Sequence, residues 1–150
     1  ARGMDEQVVR EKLESIRRCV KRIETTRVDS ADALMESIDA QDILTLNLTR
    51  AVQLCADVAV HVLARGDGSP PASMGDAMMG LASASIVPVE LAKRLRAAVG
   101  FRNLAVHAYH EVDWAIVHRL TYDGVEDFRD FARAVARHLE GEVARGTDDG

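Results

Sequence analysis

The 150-residue sequence sets 19 lysines and arginines against 24 aspartates and glutamates, a net charge of −5. That length makes one domain able to bury a core without staples, and the mild acidity provides no overall field to attract nucleic acid, so any RNA contact has to come from a local basic site. The two cysteines, Cys19 and Cys55, sit inside helical patterns and read as reduced packing residues of a cytosolic protein; no apolar run approaches the roughly 20 residues of a membrane span, and the first residues lack the apolar core of a signal peptide.

Val9, Leu13, Ile16, Val20 and Ile23 step by four and three, which predicts an amphipathic helix over 5–28. Its other face carries Arg10, Arg17, Arg18, Lys21 and Glu24, by default a solvated surface. Asp29-Ser-Ala-Asp breaks the pattern, and residues 31–38 add a short turn of helix. A second long helix is expected over 40–65, with Ile43, Leu44, Ala51, Leu54, Cys55, Val58 and Val62 facing the core. Asn47, Arg50 and His61 fall close to the edge of that face, where polar groups need partners. Two readings stand for Asn47 and Arg50: a structural polar network, or a contribution to a site built elsewhere in the fold.

Gly66-Asp-Gly-Ser-Pro-Pro71 is a loop. Ser73 followed by Asp76 reads as a helix cap with an acidic first turn, opening a helix to about residue 84 that carries Met78, Met79 and Leu81. Pro88 and Glu90 suit the start of the next helix. Along it, Leu91, Leu95, Ala98, Val99, Ala105 and Val106 mark a core-facing stripe. Arg102 falls in the middle of that stripe, and so does Tyr109, seven residues on. A guanidinium keeps its charge, so burying it demands a carboxylate, a phosphate or several acceptors. Asn103 and His107 are four apart and share a neighbouring stripe. On a straight helix the Arg102 and His107 directions differ by roughly 140°. Convergence therefore needs a long reach by arginine, a helix end near His107, or a second copy of the chain.

Asp113 suits the cap of a further segment holding Trp114, Val117 and Leu120, which Tyr122-Asp-Gly124 should end. Val125, Phe128, Ala132, Val135 and Leu139 form the last amphipathic helix. Residues 5–142 thus make a single all-α domain, an up-and-down bundle of about five helices, and 143–150 should fray as a tail with nothing to bury.

The stretch Gly100-Phe-Arg102-Asn103-Leu-Ala-Val-His107-Ala-Tyr109 carries the Arg-x4-His-x-Tyr motif and resembles the HepT-like toxins of the HEPN superfamily. Gln41-Asp-Ile-Leu-Thr-Leu-Asn47-Leu-Thr-Arg50-Ala and Glu90-Leu-Ala-Lys-Arg-Leu look like further blocks of that family, in its order. The resemblance implies a HEPN-like bundle and a toxin of a HEPN/MNT toxin–antitoxin module. It implies a metal-independent endoribonuclease with Arg102 and His107 as its core, facing their copies across a homodimer. It also implies a minimal nucleotidyltransferase partner that transfers AMP to Tyr109 and silences the toxin.

The residue types suit that chemistry. RNA cleavage by its own 2′-hydroxyl needs proton transfer and charge stabilisation on the phosphoryl oxygens. Imidazole exchanges protons near neutral pH; guanidinium offers phosphate a permanent charge in a planar fork. Asn103 can orient the imidazole or donate to phosphate. No cofactor is required. Two further readings remain open: a metal site built from His107, His110, Glu111 and Asp113, and a non-catalytic helical partner that binds nucleotide or docks a nucleotidyltransferase.

Overall fold

The computed structural model describes residues 2–66 and 68–148, and among these every regular element is helical. The helices are α1 (Arg2–Thr26), α2 (Ala31–Met35), α3 (Ile38–Leu63), α4 (Met74–Ser83), α5 (Val89–His107), α6 (Trp114–Arg119) and α7 (Val125–Asp148). The all-α bundle expected from periodicity is present, with α1, α3, α4, α5 and α7 as its long members.

The core follows the apolar spacing. Val9, Leu13, Ile16, Val20 and Ile23 of α1 meet Leu44, Leu48, Ala51, Cys55 and Val58 of α3, and Phe128, Phe131, Val135 and Leu139 close the bundle from α7. Local signals set the helix starts: the Ser30, Ser37 and Ser73 hydroxyls each accept a backbone N–H in the first turn, as does the Asp113 carboxylate. Each such cap is worth about 1 kcal/mol. Gln41 joins α2 to α3 by donating from Nε2 to the carbonyls of Leu34 and Met35, at 2.9 and 3.1 Å. Gly80 lets α4 lie close on α3, because a Cβ there would stand 2.8 Å from the Leu63 Cδ1.

Three expectations need correction. Residues Ile38–Leu63 do satisfy length and composition for a membrane span, yet 56% of the most apolar window is buried within the bundle; the apolar content of α3 serves contacts with other helices. Val106 is not a core residue but 53% exposed, and Arg102 is only half-buried. Tyr122-Asp-Gly124 does not stop the chain: Leu120–Gly124 forms a π-helical turn running directly into α7. The wider i→i+5 turn carries the helical chain through Gly124, so the glycine does not end it. The helix α7 is described to Asp148, and Asp149 and Gly150 lie outside the described residues.

The π-turn is held against the end of α1. Arg27 donates to the Thr121 carbonyl at 3.0 Å and stacks 4.2 Å above the Tyr122 ring, while the Tyr122 hydroxyl donates to the Val28 carbonyl at 3.1 Å. Arg129 of α7 pairs with Glu24 of α1 at 2.6 Å. On the opposite side, Arg94 of α5 pairs with Asp127 of α7 at 2.9 Å. These ties fix α6 and the π-turn behind the C-terminal end of α5, where the motif residues lie.

Candidate active site

The end of α5 builds the site. Ala108 donates its N–H to the Leu104 carbonyl at 2.7 Å, and its backbone then swings to φ −147° and ψ 59°, ending the helix at His107. A 3-10 turn follows over Tyr109–Glu111, with Glu111 N–H donating to the Ala108 carbonyl at 2.9 Å. Tyr109 therefore leaves the axis of α5, and the expected shared stripe with Arg102 does not exist. The cause is local: the break redirects the chain before a seventh residue can return to the arginine face.

Arg102 and Asn103 do come together, the guanidinium Nη1 donating to Asn103 Oδ1 at 3.0 Å. Asn103 and His107 are exposed beside Leu104 (37% exposed) and Val106 (53%), so the last two turns of α5 present polar motif residues among uncovered apolar ones. His110 and Glu111 are also exposed, 3.9 Å apart. The described residues hold no cluster of three or more His, Cys, Asp or Glu arranged for a metal ion, because the helix break separates His110 from the face bearing His107.

Tyr109 has the most developed surroundings of the motif residues. Its hydroxyl donates to Asp42 Oδ1 on α3 at 2.7 Å, in the range of a charge-assisted bond. Its ring meets Trp114 edge-on, centroids 5.8 Å apart and planes at 69°. Burial first, and then the hydrogen bond and negative charge of Asp42, push the phenol from its ordinary 10.0 up to about 12, with Thr45 acting in the opposite sense. The Thr45 hydroxyl is buried and has no hydrogen-bond partner among the described residues. Sequence spacing gave no sign of Asp42, Thr45 or Trp114 as neighbours of this tyrosine. Asp42 and Thr45 are one turn apart on α3, and their meeting with Tyr109 is purely tertiary.

Asn47 and Arg50 sit elsewhere. Asn47 is buried and donates from Nδ2 to the Ile43 carbonyl in its own helix at 2.9 Å. With Arg50 it borders a groove of about 430 Å³ between α1 and α3, shared with Ser15, Arg18 and Cys19. Burial raises the Cys19 thiol above its ordinary value, with Arg50 and Arg18 pulling the other way. Among the described residues no hydrogen bond joins Asn47 or Arg50 to Arg102 or His107.

Comparison with known proteins finds relatives in both sequence and fold. A family model described as ribonuclease HepT-like matches residues 12–135. The mRNA nuclease HepT of Shewanella oneidensis is 32% identical over 124 residues, covering 83% of this chain and 92% of its own length. A solved structure of the tri-AMPylated Shewanella oneidensis HEPN toxin in complex with MNT antitoxin superposes with a TM-score of 0.81 at 31% identity, covering 87% of this chain and 97% of that one. The cytosolic protein YutE of Bacillus subtilis, of unknown function, shares the fold at 17% identity and a TM-score of 0.80, covering 92% of each chain.

Proposed function

This chain belongs to the HepT-like ribonuclease family, and from that premise we propose that it is the toxin of a HEPN/MNT toxin–antitoxin module, a metal-independent endoribonuclease silenced by AMP transfer to Tyr109. The observation that carries the reading is the exposed end of α5, whose last two turns carry the bonded pair Arg102 and Asn103 and the exposed His107 just before a tyrosine that remains 40% exposed.

In this reading Arg102 binds the scissile phosphate. Asn103 holds one edge of the guanidinium and leaves the others for phosphoryl oxygens. His107 moves the proton between the 2′-hydroxyl and the leaving 5′-oxygen, the attack of the former on phosphorus expelling the latter. The roughly 140° between the two side-chain directions supports a homodimer in which a two-fold axis brings both copies of the motif to one cleft. Leu104 and Val106 supply apolar surface for that contact. Arg18 and Arg50, on their groove between α1 and α3, offer a local basic surface for the RNA backbone in a chain that is acidic overall. The partner that ends the activity is a minimal nucleotidyltransferase, and the module works in the cytoplasm. A diester phosphate on Tyr109 would add charge and bulk next to the proposed RNA site.

Induction of the protein in cells, with and without the nucleotidyltransferase, tests this reading. Growth arrest with RNA fragmentation is expected from the toxin alone, and recovery on co-expression. The acidic balance favours the other reading, a non-catalytic docking partner; intact RNA and normal growth on induction alone would establish that one instead.

A further inference from the structure

We propose that Asp42 is the base that takes the phenolic proton of Tyr109 as the tyrosine is adenylylated, so that the toxin supplies part of the machinery for its own silencing. The inference rests on the reading above that Tyr109 is the acceptor. It adds a residue on α3 and a chemical role for it.

The geometry around the phenolic oxygen is that of an activated nucleophile. Asp42 Oδ1 is 2.7 Å from it, already accepting the proton that has to leave. Asp42 makes no salt bridge among the described residues and is exposed, so its carboxylate is not committed elsewhere. The Trp114 edge restricts the ring, while 40% exposure of Tyr109 leaves room for a nucleotide to approach. The Thr45 hydroxyl, one turn along α3 from Asp42, is buried without a hydrogen-bond partner and can turn to donate to an oxygen that is losing its proton.

Activation is needed because the free phenolate is scarce. With the phenol pushed up to about 12, only about one molecule in 10⁵ carries it at pH 7. Attack has to begin from the neutral phenol, with the proton leaving as the bond forms. Tyr109 Oη bonds to the α-phosphorus of ATP, and the bond from that phosphorus to the bridging oxygen breaks. Pyrophosphate departs with that electron pair, and the phenolic proton passes to Asp42. Bond formation makes the phenolic oxygen steadily more acidic, so a transfer unfavourable at the start becomes favourable along the way. General bases so placed contribute about 10²–10⁴-fold.

The test is AMP transfer by the purified partner nucleotidyltransferase with ATP and Mg²⁺, followed by intact mass and peptide mapping, on wild type, Asp42→Asn, Asp42→Glu and Tyr109→Phe. Asparagine keeps the shape and still accepts the phenol's hydrogen bond but cannot hold its proton. The expected result is a maximal rate about 100-fold lower for Asp42→Asn, with the KM for toxin and for ATP little changed. Asp42→Glu should recover part of the rate, and circular dichroism should show both variants folded. Labelled Tyr109→Phe would refute Tyr109 as acceptor, leaving the ribonuclease reading intact. Wild type and Asp42→Asn labelled on Tyr109 at equal rates would place the base in the transferase and overturn the proposal. A loss confined to KM would overturn it too, making Asp42 a docking contact.

Discussion

Arg102 donates from Nη1 to Oδ1 of Asn103, its immediate neighbour, at 3.0 Å. Consecutive side chains on a helix point about 100° apart, so this bond draws the guanidinium across the surface of α5 and away from the core its position on the wheel suggested. Asn103 then acts through Arg102. Asn103→Ala should lower RNA cleavage by about 10-fold, mostly as a raised KM for RNA, and less than Arg102→Ala does. Steady-state kinetics on a fluorescent oligonucleotide would check the order of the two effects.

The exposed apolar residues beside the motif predict the assembly. Leu104 and Val106 stand 37% and 53% exposed on the same two turns as His107. Light scattering at micromolar concentration should give twice the chain mass for wild type. Val106→Glu should shift it toward monomer, because a carboxylate in that contact loses water without gaining a partner. Cleavage should fall with it.

Tyr109 should titrate late. Burial and Asp42 hold its phenol at about 12 against an ordinary 10.0. In a Tyr122→Phe background, where Tyr109 is the remaining tyrosine of two, phenolate absorbance should rise near pH 12, and earlier in Asp42→Asn. The sign for stability follows. A phenol whose pKa is raised by folding contributes fully below pH 10, and that contribution is lost as pH climbs from about 10 to 12. Alkaline melting curves of wild type should show this loss, and Tyr109→Phe should lack it.

Ser85 ends α4 in the left-handed region, at φ 60°. Its neighbour Ile86 donates back to the Leu81 carbonyl at 2.8 Å, a helix stop that favours glycine. Ser85→Gly should stabilise the fold by ~0.5 kcal/mol, strain relief outweighing the extra entropy of the unfolded chain. Thermal denaturation should show a midpoint higher by about 1–2 °C.

What was legible in the sequence was local. Ser73 with Asp76, and Asp113 before Trp114, are caps whose partners lie two or three residues away, and both form as expected. Core stripes of α1, α3 and α7 repeat at helical spacing and are buried almost residue for residue. The breaks were harder. No glycine or proline marks the end of α5, so spacing alone carries the helix through Ala108 and sets Tyr109 on the arginine stripe. Gly124 looked like a stop, but a π-turn carries the chain through it. Asp42 could not be found by spacing at all, since 67 residues separate it from the tyrosine it meets. The motif residues stand out by family resemblance and residue chemistry. Asn47 and Arg50 stand out by their place at a core edge, which does not say which groove the edge borders.

The most direct test of the central claim is cleavage of RNA by purified wild type, Arg102→Ala and His107→Ala, each with and without EDTA. Wild type should fragment RNA equally well with the chelator. Each variant should retain its helical circular dichroism and lose activity by at least about 10². The double variant should lose little more than either single one, as for residues that act as a unit. Cleavage that survives either substitution, or that stops when metal is removed, would contradict the account.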